Sequence, residues 1–193
     1  MGAGQVKLID PKQGDDARLA YKADAILDAQ FASKTAVSEL QGGHRAQRVE
    51  LLAGGVVAKR YDMADEKKRR LFWHEVAVLT RLADCPHVAH LLHADAGRGV
   101  LYLEYVGENA GATPKRFKDV KRIMKEIEER WGVLYARRDR QMLTVGRHKN
   151  GIKVGLRNVT VDSHGRTRLI DFGGPNWKLA PLPSRADVLL ATT

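Results

Sequence analysis

The stretch RNVTVDSHGRTRLIDFGG, residues Arg157–Gly174, decides the fold. Two short apolar runs, Val159–Val161 and Leu169–Ile170, flank Asp162-Ser163-His164-Gly165, a tetrapeptide of turn formers. Such a turn folds the two runs back on each other and brings Asn158 to Asp171. A carboxylate at the end of a buried strand, followed by Phe172, Gly173 and Gly174, suits a hard divalent cation held against phosphate oxygens. An ordinary hairpin with a capping Asn158 and a turn Asp171 accounts for the same letters, and both readings stand at this point.

Working outward, the chain before this hairpin alternates short strands with three helices. Leu19, Ala20, Ala23, Ile26, Leu27 and Phe31 recur at helical spacing across Asp15–Ala32. Thr35–Leu40, Arg48–Leu52 and Val56–Tyr61 read as an antiparallel meander with turns at Gly42-Gly43 and Gly54-Gly55. Asp65 opens a helix whose apolar face is Leu71, Phe72, Val76, Leu79 and Leu82, and Asp84-Cys85-Pro86 ends it. Val88–His93 and Val100–Val106 form a second hairpin. Gly107–Thr113 reads as a linker. Pro114 then opens a basic and acidic helix to about Tyr135, with Phe117, Val120, Ile123, Ile127 and Leu134 inward, and Met142–Val161 reads as strands. The layout is an N-terminal extension with a helix over 1–33, a sheet-and-helix unit over 34–107 and a smaller unit over 108–193.

Lys59 ends an apolar strand and points toward a cleft, where an ammonium can hold the phosphates of a nucleotide. A buried ammonium needs a counter-charge, and Glu75 on the following helix supplies one. An edge lysine on a strand is the plain alternative.

Four pieces together resemble the protein-kinase superfamily: GGVVAKRY (Gly54–Tyr61), FWHEVAVLTRL (Phe72–Leu82), LYLEYVGE (Leu101–Glu108) and the Arg157–Gly174 stretch. They span residues 35–174 in the family's order. The resemblance implies an α+β, two-lobe fold. Its N-lobe has a five-stranded antiparallel sheet with one central helix, and its C-lobe is truncated. It implies an ATP- and Mg²⁺-dependent (or Mn²⁺-dependent) transfer of the γ-phosphate to a hydroxyl, as in an atypical Ser/Thr protein kinase. Lys59 and Glu75 are then the phosphate-binding pair, and Asn158 and Asp171 the metal ligands. Backbone groups at Glu104 and Val106 meet adenine, Glu108 reaches the ribose, and Leu103 lines the back of the pocket. Gly42 and Gly43, beside His44 and Arg45, stand for the phosphate loop, although a hairpin turn explains the two glycines equally.

The chain departs from the family in two places. The family's catalytic aspartate lies five residues before its metal-binding asparagine, and here that position is Lys153. Arg137-Arg138-Asp139 resembles the catalytic motif, with Arg for His and a hairpin, Met142–Leu156, inserted before Asn158. Asp139 is therefore the candidate catalytic carboxylate. It is equally readable as a helix-end residue paired with a neighbouring Arg, or the carboxylate is simply missing. The second departure is that only 20 residues follow Gly173, too few for an activation segment and the helices that bind peptides.

Composition narrows the remaining choices. The 193 residues carry one cysteine, Cys85, so an intrachain disulfide is impossible and a reducing, cytoplasmic setting (or delivery as an effector) is the expectation. No run has the length of a membrane span, and the N-terminus lacks the basic and apolar pattern of a secretory signal. The formal net charge of +10 is concentrated in Lys115–Arg147. It admits nucleic acid as a partner, but the interleaved acids favour ion pairs along an exposed helix. The expected partners are ATP and a protein substrate. A small-molecule kinase and a pseudokinase serving as an interaction module are the other readings.

Overall fold

The computed structural model describes residues 25–40, 46–111, 113–135 and 155–181. It is an α+β arrangement built around a five-stranded antiparallel sheet. Helix α1 (Ala25–Ala32) precedes strands β1 (Ala36–Glu39), β2 (Arg48–Leu52) and β3 (Val56–Arg60). Helix α2 (Glu66–Arg81) follows, then β4 (Leu91–Asp95) and β5 (Val100–Glu104). The sheet order is β1-β2-β3-β5-β4, so β3 and β5 are central and the α2 connection crosses from β3 to the β4 edge.

Local chemistry explains α2. The Asp65 carboxylate caps it by accepting from the amides of Lys67 at 2.8 Å and Lys68 at 3.2 Å. Phe72, Glu75, Val76, Val78 and Leu79 are buried at helical spacing. Phe72 meets the Tyr61 ring edge-on at a centroid distance of 5.8 Å, which seats the helix against the end of β3. On the other face of the sheet, Phe31 from α1 stacks on Tyr102 at 4.8 Å over Leu52, Val56, Ala58 and Val100.

Three expectations are corrected after β5. The segment read as a linker carries strand β6 (Glu108–Gly111), which pairs antiparallel with β8 (Gly155–Val161). Its letters are small and polar, but the pairing comes from a distant strand that no local pattern announces. Helix α3 (Pro114–Trp131) stops at Gly132, whose φ of 61° closes it as a left-handed cap. Leu134 thus lies not in the helix but in β7 (Val133–Tyr135). β7 pairs with β10 (Trp177–Leu179), a strand that the three prolines around it concealed. The expected second hairpin forms with β4 starting later, because Val88 instead bridges in parallel to Leu169.

β8 turns through Asp162–Gly165 into β9 (Thr167–Leu169) as the turn chemistry predicts, with Val159 opposite Leu169 and Val161 opposite Thr167. The hairpin is fastened to the main sheet's α2–β4 connection by Leu169 N–H to His87 C=O at 2.8 Å and Ala89 N–H to Leu169 C=O at 3.1 Å. One continuous core runs from Phe72, Val76 and Leu79 through Leu169, Phe172 and Trp177 to Val120, Ile123 and Ile127. Among the described residues no helix is long and apolar enough to cross a membrane.

Gly107 joins β5 to β6 at a φ of 89°, and a Cβ there would overlap the Val161 carbonyl. Gly107→Ala is therefore expected to cost at least about 3 kcal/mol, from left-handed strain plus overpacking. Urea unfolding of the variant, monitored by tryptophan fluorescence, checks this; an unchanged midpoint would contradict the joint described.

Candidate functional site

β3 delivers Lys59 to the interior at 7% exposure, and α2 places Glu75 opposite it, fully buried. Lys59 Nζ lies 3.0 Å from Glu75 Oε1 and 2.9 Å from Oε2. It also donates to Asp171 Oδ1 at 2.6 Å. One ammonium is thus gripped by two carboxylates, one from the helix and one from Asp171, two residues past the end of β9. Burial alone would lower the Lys59 pKa, but Glu75 and Asp171 outweigh it and hold the ammonium well above the ordinary lysine range.

The residues after Asp171 complete the arrangement. Phe172 donates its N–H to Glu75 Oε1 at 3.1 Å. Its buried ring packs on Trp177 at 4.7 Å, which anchors the segment. Gly173 lies so close that an added Cβ would stand 2.8 Å from Glu75 Oε2 and 2.9 Å from the Tyr61 hydroxyl. That hydroxyl donates to Glu75 Oε2. Burial raises the Tyr61 pKa strongly, and the Glu75 charge raises it further, so the phenol stays protonated as a donor. Tyr61, the Phe172 amide and Gly173 were not among the expected site residues. Tyr61 was findable, since it lies two residues after Lys59 and shares its face of the strand. The amide and the glycine contact depend on a backbone path that no side-chain pattern encodes.

Asn158 and Asp171 are the two described non-glycine residues with positive φ, at 61° and 63°. Asn and Asp tolerate this region best, and such outliers gather where a site over-determines the backbone. Ile170 N–H donates to Asn158 C=O at 3.0 Å, so the open end of the hairpin brings the two residues side by side as the turn predicted. Among the described residues, no group of three or more His, Cys, Asp and Glu assembles as a metal site. The donor set on offer is instead one carboxylate and one amide oxygen beside the Lys59–Glu75 pair. That set fits a Mg²⁺-like ion, which keeps waters and phosphate oxygens as its other ligands.

The adenine-side candidates lie along the same strands. Glu104 pairs with Val56 and Leu101 with Lys59, three residues apart on β5, roughly 10 Å along the strand. The Glu104 carboxylate is turned away from the strand pairing. It accepts from Arg168 Nη2 at 2.9 Å and lies 3.1 Å from His90 Nδ1. Arg168 is buried and also donates to the Val88 carbonyl at 2.6 Å, so this unforeseen arginine ties the end of β5 to β9. Val106 is buried, and Glu108 is exposed on β6 opposite Val161. Gly42, Gly43 and Asp139 lie outside the described residues.

Because the folded Lys59 pKa is raised above its unfolded value, its stabilisation is whole below about pH 10.4 and is lost as pH rises through the folded value. The stability difference between wild type and Lys59→Met is expected to shrink between pH 9 and pH 12, read as urea midpoints. Glu75→Ala leaves the ammonium on Asp171 alone and opens a buried void, and is expected to cost about 3–5 kcal/mol. A loss below 1 kcal/mol in the same urea assay would show that the buried carboxylate is not holding the site.

No protein-family model matches the sequence, and no curated protein is significantly similar to it.

Proposed function

We propose that this chain is a minimal, protein-kinase-like phosphotransferase that uses ATP and a divalent metal. One observation carries the reading: a single buried lysine is held at once by a helix carboxylate and by the aspartate of an Asp-Phe-Gly segment, 3.0 Å and 2.6 Å away. A scaffold needs no such cluster. Supporting it are the β1-β2-β3-β5-β4 sheet with one crossing helix, and the left-handed Asn158 and Asp171 side by side. The two units, 34–107 and 108–193, are then lobes flanking the cleft.

In this reading the end of β5, from Glu104 to Val106, receives the adenine, and Glu108 on the neighbouring strand faces the ribose. Lys59 pairs with the α and β phosphates, kept in place by Glu75, which Tyr61 and the Phe172 amide hold rigid. Asn158 and Asp171 are the residues that would hold the metal, which when bound would neutralise charge on the transferring phosphoryl group. Asp139 accepts the proton of the acceptor hydroxyl, and a protein Ser or Thr is the expected acceptor. The second reading, nucleotide binding without transfer, rests on Lys153 standing where the family has its aspartate.

Incubation with labelled ATP and Mg²⁺ or Mn²⁺, scoring transfer to self, to a generic protein and to water, tests the reading. Lys59→Met is expected to abolish the ATP-induced rise in melting temperature, and Asp171→Ala its metal dependence. Asp139→Asn is expected to leave ATP binding intact and lower transfer at least about a hundredfold. Normal turnover in that variant would remove Asp139 from the mechanism. ATP binding with no transfer by the wild type would favour the second reading.

A further inference from the structure

A cavity of 330 Å³ lies at the opposite end of the β8–β9 hairpin from Asn158 and Asp171. It is an open pocket between the α2–β4 connection, the first turns of α3 and the Asp162–Gly165 turn. Lys115, Arg116, Arg122 and Arg166 line it, with His87 and a single carboxylate, Asp119. Asp119 is already engaged, since its Oδ2 accepts from the Thr167 hydroxyl at 3.3 Å. Arg166 is paired with Asp162 at 2.8 Å, and Arg122 with Glu126 at 3.3 Å. Lys115 and Arg116 form no ion pair with any described residue.

The position of these two cations matters as much as their number. The first turn of α3 contains no acidic residue, and Lys115 and Arg116 stand in it. A helix N-terminus carries partial positive charge, so cations there oppose the macrodipole where Asp or Glu would favour it. The Thr113 hydroxyl caps the Arg116 amide at 3.3 Å, so the helix is otherwise well begun. Two unpaired cations placed against a dipole, at the mouth of a cavity, are an electrostatic cost that a bound anion would reverse. A guanidinium beside an ammonium and a helix N-terminus is the donor set that phosphate oxygens take.

We propose that this cavity binds a phosphate monoester or pyrophosphate group, separately from the Lys59 cleft. The inference does not depend on the phosphotransferase reading. The group can come from a phosphorylated side chain or from a free phosphorylated metabolite.

Calorimetric titration of the full chain with pyrophosphate, and separately with a phosphoserine peptide, tests this in chloride buffer of matched ionic strength. Saturable binding of at least one probe is expected, and the tighter one identifies the source. Lys115→Glu with Arg116→Glu is expected to weaken that binding at least tenfold, yet to raise the melting temperature without anion, because the helix dipole is then satisfied. Should that variant misfold, Arg116→Gln is expected to weaken binding in the same direction. Lys59→Met is expected to leave it unchanged, which separates this cavity from the cleft. The proposal is overturned if neither probe saturates, or if Lys59→Met abolishes binding while the Lys115 and Arg116 variants do not.

Discussion

The Glu75 carboxylate is the constraint on which the remaining structure hangs. A fully buried carboxylate without partners costs several kcal/mol, so its surroundings must supply donors. Four contacts do so: Lys59 on both oxygens, the Phe172 amide on one and the Tyr61 hydroxyl on the other. These partners come from the third strand, from the residue just past it and from a segment about 100 positions later in the chain. Satisfying one charge therefore fixes α2 against β3 and draws the segment after β9 onto both. Gly173 follows from the same requirement, since a side chain there would strike Glu75 and Tyr61.

A second tie determines where the β8–β9 hairpin can sit. Leu169 exchanges hydrogen bonds with His87 and Ala89, and Arg168 reaches Val88 and Glu104 from the neighbouring position. The hairpin is thus an extension of the main sheet's own connection, not a loosely tethered unit. This matters for the proposed chemistry, because Lys59 stands on the main sheet and Asp171 two residues past β9, and their contact at 2.6 Å requires both elements to be held in place. Reacting groups held by rigid elements avoid the entropy of finding each other.

The sequence is most legible where chemistry is local. Turn residues at Asp162–Gly165, the Asp65 cap and the spacing of Phe72, Val76 and Leu79 each declare their structure within a few positions. The central sheet and the Lys59–Glu75 pair follow from those elements taken in order, whereas the contact of Lys59 with Asp171, 112 positions away, is not read from the letters. Less legible is whatever depends on a distant partner. Nothing in Glu108–Gly111 specifies a strand until β8 lies beside it, and Trp177–Leu179 is a strand only because β7 offers an edge. The stop of α3 at Gly132 was locally readable, since glycine is the usual left-handed cap. The apolar residues beyond it, Val133 and Leu134, continued the helical period and masked it. Arg168 illustrates another limit. Its letter reads as one more surface cation in a basic chain, yet it is buried and satisfies a carbonyl of the α2–β4 connection and a carboxylate of β5.

The charges show the same logic at both ends of the hairpin, with opposite sign. At the open end, carboxylates from two different elements crowd one ammonium in a partly desolvated place. At the turn end, two cations without described partners face the positive pole of α3. A folded chain gains nothing from either imbalance by itself. Self-repulsion lowers the stability of the compact state, and pairing each group with an opposite charge would have relieved it. The ligands proposed above, a metal with its phosphates at one end and a phosphate at the other, would each bring the opposite charge. The overall charge of +10 belongs to this picture, because a basic surface raises the local concentration of anions before any specific contact forms.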